Sequence, residues 1–344
     1  MKKILILVTL VSLLASCHKD ETIVPEGLPA EVTFGVEFSS VQTKASNSTS
    51  YSWENKVNSV QYFVFNKSGL LEASFSNTGT GTVSKTLATG QKTIWAVVNV
   101  PEERFSGCTD LSDFLSREVS FDDVSSYSFP MSGSTTATIT SGSNTINISV
   151  SQLLCRLIFQ DIVNQLEDNL EEENFEVGNI FLSNVVCNSR IDGGMPSTIE
   201  WSAKCGRKDG ALSADDYIEN GNDFKYGWTH DNLGDYVYWD DDYGIGDFFY
   251  FFPNNSTSVD VNGWTSPFTP RYTRLVVEVY IRGERYFYPI NLNGAKRNHS
   301  YDLYLTITRP GSLDPDTFDW AEIEDITINI GGFDDWDEDF VITY

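Results

Sequence analysis

Val32-Thr33-Phe34-Gly35-Val36-Glu37-Phe38 sets the pattern on which the whole chain is built. Apolar residues take every second position, with polar or small residues between them. An extended chain written this way has one apolar face and one wet face. The same pattern recurs on the C-terminal side. Val57 to Asn66 contains Val60-Gln61-Tyr62-Phe63-Val64-Phe65 and ends in the turn signal Lys67-Ser68-Gly69. Thr82 to Leu87 predicts a strand before the Gly90 turn. Thr93 to Val100 is apolar enough for a strand buried on both faces, and Thr136 to Val150 predicts two strands around Ser141-Gly142-Ser143-Asn144. Leu153 to Ile162, Phe175 to Val186 and Phe248 to Phe252 read as core strands. Leu275 to Arg282 and Tyr286 to Leu292 read as a hairpin around Gly283-Glu284, and Tyr301 to Thr308 and Ile323 to Ile330 alternate again. Asp110 to Arg117 is the helical candidate, with Thr109 or Asp110 as cap and Leu111, Phe114 and Leu115 on one face. Many short strands separated by turn residues predict an all-β protein of β-sandwiches with minor short helices. A boundary just before Leu153 divides the chain into domains 30–151 and 152–344, with residues 188–270 long and irregular.

Composition fits sizeable cores. The 344 residues are 40% hydrophobic and include 22 Phe and 16 Tyr. A net charge of −26 opposes binding to a nucleic acid backbone. Enzyme motifs are scarce. The three histidines are His18, His230 and His299, and the chain has no G-x-S-x-G, no H-E-x-x-H and no glycine-rich phosphate loop. The reading is of a non-enzyme without cofactor or metal. The nearest thing to a ligand loop is Tyr236 to Asp247, where Trp239, Asp240, Asp242 and Asp247 stand among aromatics able to stack on sugar rings. Clustered Asp oxygens bind Ca²⁺ in other settings, but Gly244 breaks the D-x-D-x-D-G spacing.

The N-terminus reads as a targeting segment. Lys2 and Lys3 precede the apolar stretch Ile4 to Leu14, which is too short to span a bilayer and fits a signal peptide over residues 1–16. Leu14-Ala15-Ser16-Cys17 resembles the lipobox of bacterial lipoproteins, which implies acylation of Cys17 and a tether over 17–29. The acidic pair in His18-Lys19-Asp20-Glu21 resembles a surface-export signal of Bacteroidetes lipoproteins. Cys108, Cys155, Cys187 and Cys205 remain, none in a C-x-x-C pair, and their pairing is open.

Five segments in order resemble the fimbrillin family, the subunits of the type V pili of Bacteroidetes. They are Val64-Phe65-Asn66 with Gly69; Gly90 to Asn99; Phe129-Pro130-Met131-Ser132-Gly133; Arg156 with its apolar neighbours; and Arg297 to Thr308, followed by Gly311 and Asp314-Pro315. The resemblance implies two transthyretin-like β-sandwich domains in tandem and assembly by strand exchange with other fimbrial subunits. In that scheme a lipoprotein precursor on the outer membrane is cut in the loop after its first strand. The removable strand corresponds to Val32, Phe34, Val36 and Phe38, and the cut to Lys44-Ala45. The donor is segment 334–344, in which Trp336, Phe340, Ile342 and Tyr344 share one parity. Family stalk subunits are commonly cut after arginine, whereas no Arg precedes Arg104 here and Lys44 takes that place. The resemblance implies a cell-surface fimbrium serving adhesion to a host or bacterial receptor. Two other readings stay open: a surface glycan-binding lipoprotein, and an uncut, lipid-retained anchor subunit.

Overall fold

A computed structural model describes residues 27–38, 54–124, 128–166, 175–202, 235–236, 242–256, 272–292, 294–313, 326–327 and 340–343, with backbone alone at 202, 235–236, 242–248, 326–327 and 340–343. In chain order the first strands are β1 (Pro29–Phe38), β2 (Ser59–Asn66), β3 (Leu71–Thr78), β4 (Val83–Ala88), β5 (Gly90–Val98), β6 (Glu118–Ser120), β7 (Met131–Ile139) and β8 (Ser143–Gln152). They are followed by β9 (Cys155–Asn164), β10 (Phe175–Ser183), β11 (Val185–Val186), β12 (Asn188–Arg190), β13 (Trp201–Ser202) and β14 (Asp235–Tyr236). The last are β15 (Asp242–Phe251), β16 (Arg274–Ile281), β17 (Glu284–Asn291), β18 (Ser300–Ile307), β19 (Ile326–Thr327) and β20 (Phe340–Thr343).

Seven strands form one continuous sheet in the order β3-β2-β5-β7-β8-β1-β4. Strands β7 and β8 pair at two positions only, Met131 with Gln152 and Ser132 with Ser151. Beyond that contact β8 turns away to pair with β1 along eight positions. The sheet therefore folds over on itself and becomes a sandwich. Its interior is a cluster of Ala30, Val32, Phe34, Tyr62, Ile94, Ile148 and their neighbours. The alternation read in the sequence is what fills this space: each strand presents one parity inward. As the apolar run in β5 requires, both its faces are covered, with Ile94, Ala96 and Val98 in this cluster and Val97 in a second one. The second cover includes Phe105 and the short helix α1 (Leu111–Leu115). Asp110 caps α1 by accepting from the Asp113 N–H at 2.9 Å, and Phe114 is buried.

Sheet membership changes at Leu153-Leu154. Strands from β9 onward build a five-stranded sheet, β15-β9-β18-β20-β19, and a four-stranded sheet, β14-β10-β16-β17. One apolar cluster takes Leu157, Phe159, Leu303 and Leu305 from the first and Val177, Leu182, Val277 and Ile290 from the second. The β16–β17 hairpin turns at Arg282-Gly283, both with positive φ, one residue before the expected Gly283-Glu284. Two residues of positive φ are what a two-residue hairpin turn of matching twist demands.

Glycine 133, in the Phe129–Gly133 segment, has a definite steric reason. A Cβ there would stand 1.9 Å from the Ser149 carbonyl oxygen, where β7 and β8 close on each other. Gly133→Ala is expected to force the fold apart at this corner and lower stability by about 3 kcal/mol, read as a drop in the urea midpoint. A midpoint unchanged from wild type would show that the corner yields freely.

Candidate functional site

The seat of β1 lies between two neighbours inside the seven-stranded sheet. β1 runs parallel to β8 from Glu31–Ser143 to Phe38–Val150, and antiparallel to β4 from Pro29–Ala88 to Phe34–Val83. Val32 and Phe34 are wholly buried, Ala30 nearly so, and Val36 and Phe38 are half-buried at the far end. Phe34 inserts its ring into an aromatic trio, with centroids 5.5 Å from Tyr62 and 5.1 Å from Phe75, while Tyr62 stacks on Phe75 at 5.2 Å. Burying Val32 and Phe34 contributes about 1.5–3 kcal/mol each. The Tyr62 hydroxyl is enclosed in this apolar core with no hydrogen-bond partner among the described residues, and burial pushes its pKa up to about 12. β1 is joined to the rest of the chain through residues 39–53, which lead from Phe38 to Glu54.

Glu54 fixes the far end of that connection. Its carboxylate accepts two hydrogen bonds from Arg156 Nη1, at 2.8 and 2.9 Å, and one from the Tyr250 hydroxyl at 2.5 Å. Arg156 Nε donates to Ser300 Oγ at 2.8 Å, and Gln152 Nε2 donates to the Glu54 carbonyl at 3.1 Å. Both ends of the ion pair are almost fully buried. Burial, then the Glu54 charge, holds the Tyr250 phenol far above its ordinary value. The paired charges satisfy each other, as a buried pair must.

The Arg297-Asn298-His299 turn closes the same junction from the other side. Arg297 donates to the carbonyls of Gln152, Ser132 and Ser151 and to the hydroxyls of both serines, at 2.9–3.2 Å. Burial lowers its pKa to about 10, which leaves it charged at neutral pH. Asn298, at φ 61°, accepts from the Gln152 N–H and donates its own N–H to the Leu154 carbonyl, while the His299 carbonyl accepts from the Arg156 N–H. Asn99, which closes the Gly90–Asn99 segment, sits at φ 58° and ties Asn58, Lys56 and Phe129 together through its side chain. A further tie is the ladder of β6 with β12. The quoted motif residues are therefore keystones of the fold rather than reacting groups.

The sequence-predicted residues fall as follows. Val32, Phe34, Val36 and Phe38 share β1 and its inward face. Of the donor candidates, Phe340 and Ile342 lie in β20, which pairs in parallel with Leu303–Thr306 of β18 and antiparallel with β19, so these residues pair within their own chain. Trp336 and Tyr344 lie outside the described residues, as do Cys17, Lys44, Ala45, Cys205, Trp239 and Asp240. The acidic ligand loop is corrected at its C-terminal half: Asp242 and Asp247 stand in β15, paired with Val163 and Phe159 of β9, with a bulge between Gly244 and Asp247. Extension into the apolar run Phe248–Phe251 carries the strand back through the aspartates. The Cys155 thiol is buried and donates to the Lys296 carbonyl at 3.2 Å. Sequence reasoning missed Glu54, whose partners lie 102 and 196 residues away. It also missed the Tyr62 hydroxyl, although the shared parity of Val60, Tyr62 and Val64 already turned that ring inward.

Comparison with known proteins places this geometry. The family model described as major fimbrial subunit protein (FimA) matches residues 30–178. No curated protein matches the chain. A fimbrilin (fimA) from Porphyromonas gingivalis W83 superposes with TM-score 0.52 at 14% identity, covering 83% of this chain and 92% of that one. A candidate cell adhesion protein from Bacteroides eggerthii gives TM-score 0.56 at 15% identity, covering 85% and 92%. Another from Parabacteroides distasonis gives 0.55 at 12%, covering 82% and 88%. These likenesses speak for the fold. Over residues 30–178 the chain is thus similar to the major fimbrial subunit proteins, and over most of its length it shares the fold of a fimbrilin.

Proposed function

We propose that this chain is a structural subunit of a surface fimbria that polymerises by strand exchange. It is exported as a lipoprotein precursor through Cys17, cut between Lys44 and Ala45, and released from β1. The segment carrying Trp336, Phe340, Ile342 and Tyr344 of another subunit, the same or related, then takes the vacated seat. Residues 30–151 and 152–344 act as two domains, the first offering the groove and the second carrying the donor segment. The observation that supports this reading best is the placement of β1. It fills an interior position of a sheet with an unbroken apolar row, yet it is tied covalently to the body only through residues 39–53. Its loss leaves two unpaired strand edges and an open apolar trough, and both favour capture of a new strand. The fimbrillin family match supports a cell-surface setting and other fimbrial subunits as partners.

The test is a limited tryptic digest of the precursor without its lipid, followed by intact mass and gel filtration. The expected result is one cut after Lys44, then oligomers that fail to form when residues 334–344 are deleted. Resistance at Lys44, or a cut species that stays monomeric, would overturn the mechanism and favour a lipid-retained anchor.

A further inference from the structure

The floor of the β1 seat holds one polar atom that β1 does not use. The Tyr62 ring packs on Phe34 and Phe75, and its hydroxyl is enclosed without a partner among the described residues. An enclosed, unpartnered hydroxyl loses its hydrogen bonds to water and regains nothing. The inward row of β1 is Ala30, Val32, Phe34, Val36 and Phe38, with no polar member. The corresponding row in the C-terminal segment is Trp336, Glu338, Phe340, Ile342 and Tyr344, with one carboxylate among them. With Phe340 in the place of Phe34, Glu338 falls one row position away, at the place of Val32 or Val36 according to strand direction. A phenol can donate to a carboxyl oxygen, as Tyr250 does to Glu54 in this chain, where Arg156 balances the charge.

We propose that Tyr62 is a specificity-determining residue of the groove, which selects against β1 and for an incoming strand whose apolar row carries a hydrogen-bond acceptor, in this chain Glu338 of a second copy. This rests on the strand-exchange reading above. The resting subunit is held by an imperfectly matched strand, and exchange gains the bond that β1 cannot offer.

The experiment uses the full chain nicked after Lys44, with labelled peptides added to displace β1. The peptides are residues 29–38, residues 334–344, and residues 334–344 with Glu338→Leu. On the wild-type chain the 334–344 peptide should bind about tenfold more tightly than on a Tyr62→Phe chain, and Glu338→Leu should erase that difference. The 29–38 peptide should bind the Tyr62→Phe chain at least as well as wild type. In the intact, uncut protein, Tyr62→Phe should raise the thermal midpoint by about 2–4 °C, because the orphaned group is gone. A lowered midpoint would show that the hydroxyl is already satisfied at rest, and would overturn the proposal. Equal loss from Glu338→Leu on both chains would overturn it too, while leaving strand exchange intact. Failure of every peptide, including 29–38, to exchange would remove the underlying reading and the proposal together.

Discussion

Replacing Arg156 by Leu is expected to lower unfolding free energy by about 3–5 kcal/mol. The carboxylate of Glu54 would then lose both hydrogen bonds from the Arg156 guanidinium, and its balancing charge, in a site closed to water. The loss is dominated by the stranded charge rather than by the attraction removed. A Glu54→Leu/Arg156→Leu pair is therefore expected to recover most of it, since well-packed apolar residues replace a buried ion pair at little net loss. The measurement is the urea midpoint of the two singles and the double, compared at unchanged slope. A single-variant loss below about 1 kcal/mol would mean that water reaches the carboxylate. The position gives the result its interest. Glu54 is the first described residue after β1, and its ion pair with Arg156 of β9 anchors that point of the chain to the body.

Phe34→Ala is expected to destabilise the intact protein by about 3–5 kcal/mol. Its ring is fully buried between Tyr62 and Phe75, in a sandwich whose other walls cannot collapse into the gap without breaking strand pairing. Phe38→Ala, at the half-buried end of the same row, should lose about 1 kcal/mol, well short of a fully buried side chain. The contrast reports whether the apolar row works as a graded anchor. In trans, a 29–38 peptide carrying Phe34→Ala should bind the vacated groove about a hundredfold to four-thousandfold more weakly, following the same free energy at tenfold per 1.4 kcal/mol. Equal losses at the two positions would mean that the depth of the seat does not follow the burial seen here.

The sequence made the strands legible wherever a strand must show one face to a core. β1, β2, β5, β9, β16, β17 and β18 all announce themselves by period two or by continuous apolar runs. β3 escaped notice. Leu71-Glu72-Ala73-Ser74-Phe75-Ser76 alternates weakly, because an edge strand with one partner needs little apolar surface. β6 and β12 are three residues each, too short for any period, and they find each other across some seventy residues. The aspartates of β15 read as a loop because acidic residues suppress strand propensity, and pairing with β9 overrides that preference. The apolar row of β1 was legible for the same reason as the fold. The polar side chains that qualify it were not. Nothing local distinguishes Glu54 from other acidic residues, or shows that Arg297 reaches five acceptors on the opposite side of the junction. Those contacts exist only once the strands are in place.

The lengthwise seating of β1 between β8 and β4 bears on force. A strand held along both edges, as β1 is by ladders on either side, resists a pull along its own axis with all its backbone bonds loaded in shear at once. Lifted from one tip, the same strand gives way one bond at a time. A strand in this seat is thus strong against tension along the groove and weak against peeling, and a fibre joined as proposed above would withstand flow while still opening to an agent that frees a strand end.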